Sequence, residues 1–203
     1  MTLDELISPI HGRLGVLERS GDQRVTIADL TDDSRKVGPG SLFVAVQGER
    51  VDGHQFLDPV VAGGAAAVVV QRSGDVGAIS CVRVQDSRAA LGILGSRFYG
   101  DPSSSLRMIG VTGTNGKTTT TYVVKTMLEA ARRRVGLIGT VAYLVGKESI
   151  PASHTTPGAL ELQKLFARMR EARLDTVVME VSSHALALDR TAGSEFDVAV
   201  FTN

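Results

Sequence analysis

Val111-Thr112-Gly113-Thr114-Asn115-Gly116-Lys117-Thr118-Thr119-Thr120 lies between an apolar run, Arg107 to Val111, and an amphipathic pattern that starts at Thr118. Glycines in such a loop free successive backbone N–H groups to cradle anionic oxygens. A helix starting directly behind the loop adds its positive end at the same place. Lys117 has the reach for the outer phosphates of a nucleotide, and Thr118 can offer its hydroxyl to a magnesium ion. The general pattern has glycine five positions before Gly116; Val111 stands there instead, and Gly113 makes up the count. A purely structural turn has no use for Lys117 or for the threonine run Thr118 to Thr121. The stretch predicts a strand–loop–helix unit that binds ATP through Gly113, Thr114, Asn115, Gly116, Lys117, Thr118 and Thr119.

Outward from the loop, strands and helices alternate. Thr118 to about Arg133 reads as a helix with Val124, Met127, Leu128 and Ala131 on one face. Val135 to Ala142 reads as a strand. Thr156 and Pro157 read as the N-cap and first position of a second helix, with Leu162, Leu165, Phe166 and Met169 as its apolar stripe. Thr176 to Val181 and Asp197 to Phe201 read as further strands. Such alternation predicts a parallel sheet, with ligands beyond the carboxyl ends of its strands. Upstream, Gly100 to Ser105 is polar and rich in turn formers, and marks a domain boundary. The half before it is also α/β. Leu42 to Val46, Ala65 to Val70 and Ile79 to Val84 are strand-length apolar runs. A short helix follows Asp52-Gly53-His54, and another spans Ser87 to Tyr99 with Asp86 or Ser87 as cap. The expectation is a small α/β domain over residues 1–101, then a phosphate-loop domain with a parallel sheet over 106–203. The second sheet reads as incomplete, because Phe201-Thr202-Asn203 follows an apolar strand directly.

Bulk properties narrow the field. The 203 residues are 43% hydrophobic, enough for a packed core, and 22 basic side chains balance 22 acidic ones. That balance offers no sign of a nucleic-acid or membrane partner. The single cysteine, Cys81, excludes an internal disulfide and reads as a buried small hydrophobe. The start Met1 to Leu6 lacks the basic and apolar regions of a signal peptide, and no apolar run nears the ~18 residues of a membrane helix. These features predict a soluble, cytoplasmic protein.

Several side chains are candidates for chemistry. Glu180 interrupts an apolar strand near its carboxyl end, facing the phosphate loop, and is a candidate magnesium ligand. Ser182-Ser183-His184 follows at once. A hydrolytic dyad needs facing side chains and an orienting acid, and neighbours on an extended segment point apart. Thr155 and Thr156 precede a helix start able to receive an anion. His11, His54, His154 and His184 have no zinc-ligand spacing. In the first half, Asp32-Asp33-Ser34-Arg35 reads as a turn or cap. The loop Gly48 to His54, after a strand, stands where ligands bind.

Together these pieces resemble the Mur ligase family. Gly113 to Thr119 looks like its ATP loop, in which the variant spacing is normal. Asp33-Ser34-Arg35, Gly40 to Val46 and Gly48 to Gly53 resemble the first domain of its diaminopimelate- or lysine-adding branch. His154 to Pro157, Met179 to Leu186 and Phe196 to Asn203 resemble its central domain. The resemblance implies an ATP-dependent amide ligase of peptidoglycan synthesis. Its substrate would be UDP-N-acetylmuramoyl-L-alanyl-D-glutamate, and its incoming amine meso-diaminopimelate or L-lysine. It assigns the uridine end to Asp32, Ser34, Glu49, Arg50 and Val51. It assigns magnesium to Thr118 and Glu180, catalysis to Lys117 and Glu180, and the muramoyl-dipeptide to Thr155, Thr156, Ser182 and Arg190. Leu188 stands where some members carry a substrate-touching glutamine, so that contact is not transferred.

The implied chemistry is acyl activation. A substrate carboxylate attacks the γ-phosphorus of ATP, and the resulting acyl phosphate is attacked by the amine. The family's carbamylated lysine and amino-acid-selecting third domain have no counterpart here, so the chain by itself is expected to lack ligase activity. Other readings are a UDP-muramoyl-peptide binding fragment, a sister Mur ligase or folylpolyglutamate synthetase relative, and an unrelated phosphate-loop NTPase.

Overall fold

The computed structural model describes residues 1–48, 51–72 and 76–203. The chain divides into two compact units, Met1–Phe98 and Tyr99–Asn203. The stretch Gly100 to Ser105 is not a free linker: Pro102–Ser105 is a 3-10 helix within the second unit.

The first unit opens with α1 (Leu3–Ile7), started by a reciprocal cap: the Thr2 hydroxyl accepts from the Glu5 N–H, and the Glu5 carboxylate accepts from the Thr2 N–H. After α2 (His11–Leu14) come β1 (Val16–Ser20), β2 (Asp29–Thr31) and β3 (Ser41–Val44). Then follow α3 (Leu57–Ala62), β4 (Ala67–Val70), β5 (Ser80–Val84) and α4 (Ser87–Phe98). Asp86 caps α4, accepting from the N–H groups of Arg88 and Ala89 at 2.8 and 3.1 Å. The sheet runs β1-β5-β4-β3-β2, antiparallel between β1 and β5 and parallel elsewhere. Every residue of β3 and β4 is buried, as expected of parallel strands covered on both faces. Phe43, Val68, Val70 and Cys81 pack with Val60 of α3 on one face. Strands β1 and β2 escaped the sequence reading: β1 is charged and half exposed, and β2 is only three residues long.

In the second unit, β6 (Arg107–Thr112) leads through the glycine loop into α5 (Lys117–Ala130). The segment expected to be one strand, Val135 to Ala142, is broken: β7 covers Val135–Ile138, and β8 (Ala142–Val145) pairs antiparallel with it and with β9 (Glu148–Pro151). Gly146, in the left-handed region at φ 61°, turns the β8–β9 hairpin. Then come α6 (Ala159–Glu171), β10 (Thr176–Glu180), α7 (Ser183–Ala187) and β11 (Val198–Phe201). The order is β11-β6-β10-β7-β8-β9, with the first four strands parallel.

The period-2 alternation of β6 and β10 feeds two cores. Met108, Val177 and Met179 face Leu162, Leu165, Phe166 and Met169 of α6. Ile109, Val111 and Val178 face Val124 and Leu128 of α5. The α5 stripe is narrower than its pattern suggests, since Met127 is 66% exposed. Helix α6 also starts later than expected. Its N-cap is Gly158, without a side-chain bond, and the Thr156 hydroxyl is engaged elsewhere.

Candidate functional site

The phosphate loop leaves β6 at its carboxyl end and enters α5 through Gly116, which stands in the left-handed region at φ 84°. Parallel pairing sets Glu180 beside Val111, so the carboxylate emerges next to the loop. Glu180 is 1% exposed. Its Oε2 accepts from the Thr118 hydroxyl at 3.0 Å and the Thr140 hydroxyl at 3.2 Å, and its Oε1 accepts from the Thr140 N–H at 2.9 Å. Three donors facing one buried side chain are the complement of a carboxylate. Lys117 Nζ donates to the carbonyls of Gly113 and Thr114 at 2.7 and 3.2 Å, bridging its own loop.

Residues after β11 brace the loop from the other side. The Thr202 hydroxyl lies 3.1 Å from the Thr112 carbonyl and 2.6 Å from that of Asn115. Asn203 accepts from the Thr114 N–H with its backbone oxygen and from the Asn115 N–H with Oδ1. The first intrahelical bond of α5 runs from the Thr120 N–H to the Gly116 carbonyl at 2.8 Å, so the N–H groups of Lys117, Thr118 and Thr119 ahead of it are the ones a helix start offers to an anion.

The segment Thr155–Thr156 joins the same place. Thr140 and Thr155 hydroxyl oxygens are 3.0 Å apart. Thr156 is 1% exposed; its hydroxyl donates to the Glu180 carbonyl and accepts from the Ser182 N–H. Arg190 donates to the Thr156 carbonyl at 2.9 Å. Thr156 is therefore an internal strut rather than a helix cap. Ser182 itself is extended, but the chain turns helical at once: its hydroxyl accepts from the Ala185 N–H and caps α7, which starts at Ser183. A cleft of ≈ 390 Å³ is lined by the loop from Thr114 to Thr119 together with Thr140, Thr155, Glu180 and Ser182. Of the residues expected here, Thr114 to Thr119, Thr155, Glu180 and Ser182 line this cleft, while Gly113, Thr156 and Arg190 do not. Tyr143, buried, donates to the His154 carbonyl and accepts from its N–H, fixing the approach to Thr155. Tyr143→Phe is expected to lower stability by about 1 kcal/mol, measured by denaturant unfolding.

The donor set suits magnesium, a hard cation that binds through one or two carboxylates and keeps oxygen ligands from water and phosphate. Thr118 and Glu180 supply hard oxygens, and no group of three His, Cys, Asp or Glu able to hold a metal occurs among the described residues.

In the first unit the candidates follow the carboxyl ends of adjacent parallel strands. Asp32 and Ser34 follow β2, and Val51, half exposed, follows β3. Glu49 and Arg50 lie outside the described residues. Asp33 caps the 3-10 turn Ser34–Lys36 and grips Arg35 through both carboxylate oxygens, at 2.8 and 2.9 Å. Hydrogen bonding to the Arg35 guanidinium holds its carboxyl down at about 2. A depressed carboxyl contributes stability above its unfolded value of about 3.9, and that contribution is lost as pH falls toward 2. Asp33→Asn is expected to flatten this part of the acid-unfolding curve by lowering stability at neutral pH while leaving it nearly unchanged near pH 2, as read by urea unfolding across pH. The loop after β3 is tied to the end of β4. His54 Nδ1 lies 2.6 Å from Asp52, His54 Nε2 accepts from the Gln71 N–H, and Arg72 bonds both Asp52 and Gln47.

Residues 26–99 match the family described as Mur ligase family, catalytic domain, and residues 111–203 match the Mur ligase middle domain. The UDP-N-acetylmuramoyl-L-alanyl-D-glutamate--2,6-diaminopimelate ligase of Alkaliphilus metalliredigens is 48% identical over 204 residues, covering 100% of this chain and 40% of that protein. The ligase of the same name from Geobacillus kaustophilus is 50% identical over 177 residues, covering 87% of this chain and 36% of its own length.

The chain belongs to the Mur ligase family.

A solved structure of a UDP-N-acetylmuramoyl-L-alanyl-D-glutamate--2,6-diaminopimelate ligase superposes with a TM-score of 0.82 at 26% identity, covering 100% of this chain and 40% of that one. A MurF ligase from Thermotoga maritima in complex with ADP superposes at 0.57 with 26% identity, over 87% of this chain and 37% of its own. This Mur ligase chain thus spans about 40% of the length of the curated relatives it matches. No helix among its described residues is long and apolar enough to cross a membrane. Sequence reasoning missed Thr140, Thr202 and Asn203 as parts of the site. Thr140 had one available signal, a polar Gly139-Thr140 pair directly after an apolar strand, where α/β sheets place their ligands.

Proposed function

We propose that this chain forms the UDP-substrate and ATP-binding part of a cytoplasmic ligase. That ligase joins an amino acid to UDP-N-acetylmuramoyl-L-alanyl-D-glutamate. The observation that carries the reading is the Glu180 carboxylate held 3.0 Å from Thr118, at the mouth of a phosphate loop. The names of relatives at 41–50% identity support diaminopimelate rather than lysine as the amino acid.

In this reading Asp32, Ser34, Glu49, Arg50 and Val51 take the uridine end. Thr155, Ser182 and Arg190 take the muramoyl-dipeptide, with Thr156 holding them in register. The loop Gly113 to Thr119 binds ATP, its helix-start N–H groups receiving phosphate oxygens. Lys117 turns from the Gly113 carbonyl to the outer phosphates and offsets charge on the transferring group. Thr118 and Glu180 would hold Mg2+, which neutralises phosphate charge when bound. The substrate carboxylate attacks the γ-phosphorus, the bond to the ADP oxygen breaks, and the acyl phosphate then yields amide and phosphate to the amine. No side chain need act as a covalent nucleophile.

Calorimetry tests this directly. The purified chain is expected to bind ADP and UDP-N-acetylmuramoyl-L-alanyl-D-glutamate saturably; failure to bind either overturns the reading. Binding without turnover is the expected behaviour of the chain alone, since it spans only part of its relatives. Tripeptide product from ATP and either amino acid would refute that.

A further inference from the structure

Among the groups around Glu180, Thr140 is the one no phosphate-loop pattern points to. It follows Gly139 at the turn between β7 and β8, and gives Glu180 two of its three hydrogen bonds. The turn comes close only because residue 139 lacks a side chain: a Cβ there would overlap Glu180 Oε1 and lie 3.1 Å from its carboxyl carbon.

Proton counting orders the network. A threonine hydroxyl has one proton and can accept at its oxygen. The Thr140 proton points to Glu180 Oε2, so in the contact between the Thr140 and Thr155 oxygens Thr155 is the donor. The chain therefore runs from Thr155 to Thr140 to the carboxylate. The Thr118 contact differs in kind. If Thr118 and Glu180 held a cation, the hydroxyl oxygen would ligate it and the Thr118 proton would turn away from the carboxylate. The two bonds from Thr140 do not involve Thr118 and would keep the carboxylate oriented.

Resting on the reading of Glu180 as a magnesium ligand, we propose that Thr140 is the positioning residue of the cation site. It fixes Glu180 for magnesium and carries the carboxylate's position to Thr155 in the segment assigned to the muramoyl-dipeptide. Groups that hold a metal-binding carboxylate typically change metal affinity by about 10–100-fold when removed.

The test compares the parent chain with Thr140→Val and Thr140→Ser, titrating ADP with magnesium or with EDTA. The parent is expected to bind ADP more tightly with magnesium. Thr140→Val should lose about tenfold or more of that gain, keep its EDTA affinity within about twofold, and unfold at the parent temperature. Thr140→Ser, which keeps the hydroxyl, should restore the gain. In amide NMR of the ADP-bound chains, adding magnesium should move the Thr155 signal in the parent and leave it nearly still in Thr140→Val; equal movement in both overturns the link to Thr155. A Thr140→Val chain with the full gain, or one weakened equally with and without magnesium, overturns the role of Thr140 alone. A parent chain with no magnesium gain overturns the cation reading of Glu180 and the proposal with it.

Discussion

Glu180→Gln is expected to leave the chain as stable as the parent, or more so, while removing the magnesium-dependent part of ADP binding. A carboxylate 1% exposed, whose partners among the described residues are Thr118 and Thr140, is costly to bury. Glutamine has the same length. Its oxygen can accept from the Thr140 N–H, and its amide can donate to the two hydroxyls, which rotate to accept. The substitution removes the desolvation cost without orphaning a partner, so unfolding free energy should change by about −0.5 to +2 kcal/mol. The same exchange removes a hard anionic ligand, and the gain in ADP affinity from magnesium should fall by about 100-fold or disappear. Thermal unfolding paired with calorimetry, with and without magnesium, reads both effects. A marked loss of stability would show that Glu180 holds the fold together; a retained magnesium gain would remove it from the cation site.

Gly113→Ala should have the largest effect on stability. Gly113 stands at φ 127°, where side chains other than hydrogen are strained. A Cβ there overlaps the Thr202 hydroxyl and comes within 3.0 Å of the Asn203 nitrogen and 3.1 Å of its oxygen. Those are the groups that brace the loop through the Thr112 and Asn115 carbonyls and the Thr114 and Asn115 N–H groups. Backbone strain and the clash together are expected to cost roughly 2–5 kcal/mol, and ADP affinity should fall with the loop's shape. Denaturant unfolding measures the cost; a change within about 0.5 kcal/mol would mean that β11 and the loop part without penalty.

The α6 stripe Leu162, Leu165, Phe166 and Met169 is buried as its spacing requires, because all four face one packed sheet. Met127 obeys the same rule on α5 yet is exposed, because periodicity marks a face but not how far the opposing sheet extends under it. The start of β8 was hidden at the end of the run Val135 to Ala142, where the Gly139-Thr140 turn ends β7 and apolar residues resume at once, and β9, Glu148–Pro151, is too polar to read as a strand. Thr156 before Pro157 has every local mark of a helix cap. It is drawn off by a stronger tertiary offer, the Glu180 carbonyl and Ser182 N–H, both partly or wholly buried and in need of partners.

The sequence by itself determined the strand–loop–helix unit, the α/β character of both units and the parallel sheet of the second, the nucleotide loop and the candidacy of Glu180. These follow from glycine placement, short apolar runs and a charged residue out of place, which are local facts. Only the tertiary structure decided what Glu180 touches. Strand β10 inserts between β6 and β7, which are consecutive in the chain, and so brings Glu180 against the loop after one strand and the Gly139–Thr140 turn after the other. Strand β11, on the far side of β6, delivers Thr202 and Asn203 to the loop in the same way. Strand order is set by how helices cover both faces of the sheet, a long-range packing outcome that no window of residues contains.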